Sequence, residues 1–220
     1  MTYQELLQYL FDNSDQNFAM FQKSLSKSTY VSIGVKTPVL RNLVKEHYND
    51  KDLKLEDFEH HKYQEIDVIY FGIGLCRCKD IDEQLLFLEK NLIHAGSWAV
   101  TDLIGAYLKK CEYEKFWEFF LKTNNNEYTY TRRFAYVFGL KFSSDKRILD
   151  TFKYFKPNEE YMVMMAEAWL LSFVAIHFPE EVYDYLAKCS DETLKRKAIS
   201  KICDSYRFSD EQKNKFKSLR

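Results

Sequence analysis

The chain is 220 residues long, 46% hydrophobic and 17% aromatic, which is enough apolar material for a substantial core and too much for a disordered polymer. Six glycines and three prolines are too few for the many tight turns of a β-sandwich or barrel, which leaves helices. The net charge of −1 excludes a generic cationic coat for nucleic acid, but the charge is uneven: residues 1–129 hold 15 basic and 20 acidic groups, and residues 130–220 hold 17 and 13.

Taken in order, Tyr3, Leu6, Leu7, Leu10 and Phe11 fall at helical spacing, as do Phe18, Phe21 and Leu25. Gly34-Val-Lys-Thr-Pro-Val-Leu-Arg41 opens the next helix. Thr37 is its expected cap, Pro38 presets the first turn, and Leu40, Leu43 and Val44 form the inward stripe. Amides at such a start can hold a phosphate, with Lys36 and Arg41 adding charge, although an ordinary capped helix has the same sequence signature. Further apolar sets run over Ile66 to Leu75, Leu85 to Ile93, Trp98 to Leu108 and Phe116 to Leu121. Phe134, Val137, Phe138 and Phe142 continue the pattern, followed by Tyr161 to Ile176, Val182 to Leu186 and Ala198 to Ile202, with Asp191 and Ser209 as caps for the last two helices.

The breaks are short, near Asp80, Asn124 to Asn126, Ser143-Ser144, Pro157 and Pro179, and none reads as a linker. The expected fold is therefore all-α and a single domain over 1–220. In it antiparallel helical hairpins stack into a superhelix, an α-solenoid, with a compact irregular bundle as the alternative.

Five cysteines, an odd number with no CxxC pair, and no secretory signal at Met1-Thr-Tyr-Gln-Glu point to reduced thiols in the cytoplasm. Cys76 and Cys78 would need two further ligands to hold a metal, and His60-His61 is remote in sequence, so core filling is the expectation. The best apolar stretch, Ala168 to Phe178, is too short to cross a membrane.

The chemistry concentrates in three places. Ser97-Trp98-Ala-Val-Thr-Asp102 sets an indole and a carboxylate four residues apart, on one face of a helix, where together they can stabilise a developing cation. A core anchor beside a salt-bridged acid would use the same residues. Arg132-Arg133 precedes an aromatic-rich helix. Neighbours differ by about 100°, so one arginine is expected to face inward and the other away, with Asp102 the natural partner of the inward one. Trp169 lies in a methionine-rich stretch, Tyr161-Met162-Val-Met164-Met165, where a core tryptophan is the plainer reading.

In this order and spacing the motifs resemble the AlkD/AlkC-like DNA alkylation repair family, which is built of HEAT-like helical repeats. The resemblance covers most of the chain. It rests on Gly34-Val-Lys-Thr-Pro-x-x-Arg41, Ser97-Trp98-x-x-x-Asp102, Arg133 before Leu140-Lys141-Phe142, Ala168-Trp169, Lys195-Arg-Lys-Ala-Ile199 and Ser205-Tyr-Arg207. It implies a monofunctional glycosylase for cationic N3- or N7-alkylated purines, with Asp102 as the catalytic aspartate. Trp98 and Trp169 match the cleft tryptophans and Arg133 the cleft arginine, all lining one concave groove, and the lesion need not be flipped into a deep pocket. Lys36, Thr37, Arg41, Arg132, Tyr161, Lys195, Arg196 and Lys197 are assigned to DNA. The partner is double-stranded DNA, with no cofactor, no metal and no membrane, and the protein acts as a monomer. Leu25 departs from the pattern: glycosylases of the family carry a tyrosine nine residues before the glycine of the Gly-x-x-Thr-Pro stretch. A DNA-binding protein without excision and a protein-interaction scaffold are the alternative readings.

Overall fold

The computed structural model describes residues 1–25, 30–58, 63–157 and 159–220. His60 and His61 lie outside the described residues. Among the described residues all regular structure is helical, apart from an isolated parallel bridge between Val31 and Tyr63. No helix among them is long and apolar enough to cross a membrane. They fall into two compact units, 1–112 and 113–220.

The first unit contains α1 (Tyr3–Asp12), α2 (Gln16–Leu25), α3 (Thr37–His47), α4 (Gln64–Arg77), α5 (Ile81–Asn91) and α6 (Trp98–Ile104). A reciprocal cap starts α1: the Thr2 hydroxyl accepts from the Glu5 amide and the Glu5 carboxylate accepts from the Thr2 amide. Buried Tyr3, Leu6 and Leu10 then face inward. Helix α4 is the centre, buried from Gln64 through Leu75, because α3, α5 and α6 all pack against it. Contact of α4 with both α3 and α6 is the neighbour-and-next-neighbour packing that a row of helical repeats makes. Gly72 permits the close approach of α3, since a Cβ there would fall 2.7 Å from Val44 Cγ2.

The start of α3 differs from expectation. Lys36 is the N-cap residue, in extended conformation, and no side chain caps the helix; Thr37 is already its first helical residue. The first helical bonds begin at the Lys36 carbonyl, which accepts from the Val39 and Leu40 amides. With Lys36 as the cap, Pro38 is the second helical residue and has no N–H, so the first turn has one fewer donor to satisfy. Upstream, Gly34 has φ +95°, and a Cβ there would collide with the Asp15 carbonyl oxygen at 2.1 Å, so only glycine fits this turn.

The second unit contains α7 (Tyr113–Thr123), α8 (Thr129–Gly139), a 3₁₀ segment (Lys146–Tyr154), α9 (Tyr161–Val174), α10 (Pro179–Lys188), α11 (Glu192–Asp204) and α12 (Asp210–Lys217). Its central helix is α9, which packs on α8 and α11. The core beside it is aromatic: Phe116, Phe119, Phe120, Phe134 and Phe138 are all fully buried, and the Phe116 and Phe142 rings stack at 4.6 Å. Asp191 caps α11 by accepting from the Thr193 and Leu194 amides, and Ser209 caps α12 in a capping box with Gln212, both as expected.

Glu167 on α9 is fully buried, and neither carboxylate oxygen has a donor in hydrogen-bonding geometry. The nearby Tyr136 hydroxyl donates to the Tyr154 carbonyl instead. Burial first, and the negative charge of Glu159 second, push the Glu167 carboxyl up to about 8. The group thus keeps a proton in the folded state that an unfolded glutamate loses near pH 4.5. Stability from the protonated form is complete below that pH and is lost as pH rises toward 8. We expect Glu167→Gln to flatten the dependence of melting temperature on pH between about 4.5 and 8 and to raise the melting temperature at the alkaline end. Melting curves across that range test it; a variant with the wild-type slope would assign the dependence to another group.

Candidate functional site

In the first unit, Trp98 and Asp102 sit on α6, a seven-residue helix begun by Ser97. The helix buries Ala99, Val100, Thr101 and Ile104, which leaves Trp98 and Asp102 half-buried on the same side, one turn apart. The Thr101 hydroxyl lies 3.2 Å from Asp102 Oδ1 and 3.0 Å from the Trp98 carbonyl, tying the carboxylate to the helix backbone. At the end of α6, a Cβ on Gly105 would meet nothing within 4 Å, so the space next to this face is open. A carboxylate that is held but still accessible can face a cation that forms during a reaction.

In the glycine turn before α3 the Ile33 and Gly34 amides are taken. The Glu65 carboxylate, buried on α4, accepts from the Ile33 amide at 3.0 Å, the Gly34 amide at 3.0 Å and the Ser32 hydroxyl at 2.6 Å. An internal anion therefore occupies the Ile33 and Gly34 amides of this turn, which lie upstream of the amides at the start of α3. Lys36 is exposed at the helix start and Thr37 half-buried, while Arg41, one turn further along, lines a separate cavity with Lys45 and Lys109.

In the second unit the two arginines of α8 are both buried, Arg132 at 8% and Arg133 at 5% exposure, so neither faces away as expected. Arg132 has internal partners: its Nη1 donates to the Asn126 and Glu127 carbonyls, and its Nη2 to Glu159 at 3.2 Å and Glu160 at 2.9 Å. Its charge is spent inside the fold and not offered on the surface. Arg133 Nη1 donates to the Met162 carbonyl in the first turn of α9, at 2.5 Å.

Trp169 is half-buried at a cleft of about 430 Å³ that Phe173, Ile176, Lys201, Tyr206 and Arg207 also line. Cations stand over three aromatic rings of α9 in sequence order. Lys197 Nζ is 5.9 Å from the ring of the exposed Tyr161, Lys201 Nζ is 5.9 Å from that of Trp169, and Arg207 is 5.3 Å from that of Phe173. The spacing explains the row, since 161, 169 and 173 share one face of α9, while 197 and 201 share one face of α11. Such a ladder of flat rings and positive charge suits a nucleic-acid strand, whose sugars and bases pack on the rings while its phosphates meet the cations.

Of the three basic residues in a row on α11, only Lys197 joins this ladder. Lys195 bonds to Glu192 at 2.6 Å with its side chain 12% exposed, and Arg196 is exposed with its Nε on the Glu192 carbonyl. Lys201 and Phe173 were not singled out from sequence, although their i,i+4 relation to Lys197 and Trp169 was the available signal. Cys76 and Cys78 are half-buried and not core, and burial raises both thiols. Among the described residues no group of three His, Cys, Asp or Glu side chains is placed to hold a metal.

No curated protein matches the chain. The family model described as DNA alkylation repair enzyme matches residues 6–202, which span α1 to α11 and include Trp98, Asp102, Arg133 and Trp169. The match takes in most of the chain, and the protein belongs to the DNA alkylation repair enzyme family.

Proposed function

We propose that the protein is a DNA glycosylase that hydrolyses the N-glycosidic bond of cationic N3- or N7-alkylated purines in duplex DNA. The observation that carries this reading is the half-exposed Asp102 one turn after the half-exposed Trp98, in a chain of a DNA alkylation repair family. An alkylated purine is already positive, so it leaves as a neutral base when the C1′–N bond breaks and keeps the bonding electrons. The sugar is left as an oxocarbenium-like cation. Asp102 stabilises that charge and accepts a proton from the water whose oxygen bonds to C1′, which leaves an abasic site. The indole of Trp98, on the same helix as Asp102, packs against deoxyribose, and the indole of Trp169 offers a face to DNA in its own unit. Arg133, at 5% exposure, contributes a fixed positive charge near a phosphate and does not reach out to one.

Affinity for duplex DNA then rests on exposed or half-exposed cations: Lys36, Arg196, Lys197, Lys201 and Arg207. Each phosphate neutralised contributes about −0.9 to the slope of log K against log salt on duplex DNA. We expect moderate, salt-sensitive binding, and a slope shallower by about one for Lys201→Ala. Fluorescence titrations of wild type and variant at several salt concentrations measure both slopes. Binding that ignores salt would rule out the phosphate contacts and favour a protein-interaction scaffold.

One observation favours a second reading, DNA binding without excision. Leu25 ends α2 and is 49% exposed, at the place where glycosylases of the family carry a tyrosine. An aliphatic side chain supplies neither a hydroxyl nor an aromatic face there.

A further inference from the structure

Helix α6 carries Trp98 and Asp102, yet its own start does little to fix it. Ser97 is the N-cap residue, but its side chain makes no cap bond, and the hydroxyl is buried without a hydrogen-bond partner among the described residues. A helix of seven residues gains little order from local bonds alone. The first turn, and with it the indole of Trp98, is therefore set by what packs on it.

Tyr30 packs on it. The Tyr30 hydroxyl donates to the His94 carbonyl at 3.2 Å, and the ring covers Gly96, the second residue before Trp98. A Cβ on Gly96 would fall 1.8 Å from Tyr30 Cε2 and 2.0 Å from Cζ, and its three nearest atoms all belong to that ring. The backbone at Gly96 has no positive φ, so what excludes a side chain there is the ring and not the conformation. Tyr30 is itself anchored. Val31 bridges to Tyr63 and its carbonyl accepts from the Gln64 amide at 3.2 Å, while Ser32, Ile33 and Gly34 donate to the buried Glu65. These fastenings lie at the first turn of α4, the central helix of the unit. The ring is thus a strut between the start of α4 and the loop that begins α6.

We propose that Tyr30 is a positioning residue for Trp98 and Asp102: through Gly96 it fixes the first turn of α6, and so the angle at which the indole and the carboxylate meet the sugar. The inference rests on the reading of Trp98 and Asp102 as the pair that serves excision, and it assigns Tyr30 no contact with DNA. A displacement of about 1 Å in groups that must meet a reacting centre can cost about 10²-fold in rate.

The test uses full-length protein labelled with fluorotryptophan. The Trp98 resonance, assigned with Trp98→Phe, reports on α6, and Trp117 and Trp169, both in the second unit, serve as references. Tyr30→Ala and Gly96→Ala, each studied well below its melting temperature, should move the Trp98 resonance and leave the references in place. Single-turnover excision of 7-methylguanine at saturating enzyme should fall about tenfold or more in both. Affinity for an undamaged duplex should stay within about twofold of wild type. Tyr30→Phe keeps the ring and should remain within about threefold of wild type in excision. The double variant Tyr30→Ala, Gly96→Ala should be no slower than the slower single variant, because the new Cβ no longer meets a ring. Tyr30→Leu replaces Tyr30→Ala if the alanine variant does not fold. An unmoved Trp98 resonance in the folded variant, or excision equal to that of wild type, overturns the proposal, as does a Tyr30→Phe as slow as Tyr30→Ala. If wild-type protein releases no base, it is the excision reading that has failed, and the fluorine resonances alone decide whether Tyr30 orders Trp98.

Discussion

Asp102→Asn should lower single-turnover excision of an alkylated purine by about 10²–10³, the loss seen when one preorganised electrostatic stabiliser is removed from an active centre. The amide keeps the shape of the carboxylate and can still accept from the Thr101 hydroxyl, whose bond to Oδ1 is 3.2 Å long. It cannot stabilise a cation with a full negative charge, nor accept a proton from water. Binding to undamaged DNA should change little or improve, because a negative charge near phosphates is gone. Melting temperature measured on the same variant separates chemistry from scaffolding. A purely structural carboxylate predicts a large fall in stability, with excision reduced only as far as folding is. Unchanged excision in a folded variant would take Asp102 out of the reaction.

Arg132→Ala should destabilise the second unit by about 3–5 kcal/mol, the usual cost of breaking a buried ion pair from one side. Glu159, with a side chain only 10% exposed, would be left as a buried carboxylate without its cation, and the Asn126 and Glu127 carbonyls would lose their donor. Glu160 is 56% exposed and contributes little to this cost. Arg132→Lys restores the charge but not the fork that spans two carbonyls and two carboxylates, so it should recover only part of the loss. Denaturant unfolding of the three proteins measures the difference. A cost below about 1 kcal/mol for the alanine variant would mean that Arg132 behaves as a surface charge and is available to DNA after all.

The helices were legible because their signals are local. An apolar period of 3.6, the Asp191 and Ser209 caps and the few breaks locate α4 to α12 from neighbouring residues alone. The 3₁₀ segment Lys146–Tyr154 was missed, since its buried residues, Ile148 and Thr151, repeat every three positions and not at the α-helical period. Features set by distant partners were equally out of reach. Glu65 takes the amides of Ile33 and Gly34 from 31 or 32 residues away, and Glu159 and Glu160 hold Arg132 from 27 and 28 away. No spacing rule foretells either. The four-residue spacing of Trp98 and Asp102 is one helical turn and is legible directly, as is that of Lys197 and Lys201, whereas the placing of these lysines and of Arg207 over rings of α9 joins distant parts of the chain.

Release of free base decides whether this protein breaks a glycosidic bond. Wild-type protein in excess, incubated with duplex DNA carrying 7-methylguanine, should liberate 7-methylguanine well above the spontaneous rate and leave an abasic site that alkali cleaves. DNA that is bound in a salt-dependent manner while its 7-methylguanine leaves only at the spontaneous rate would rule out excision and make the protein a DNA-binding member of its family.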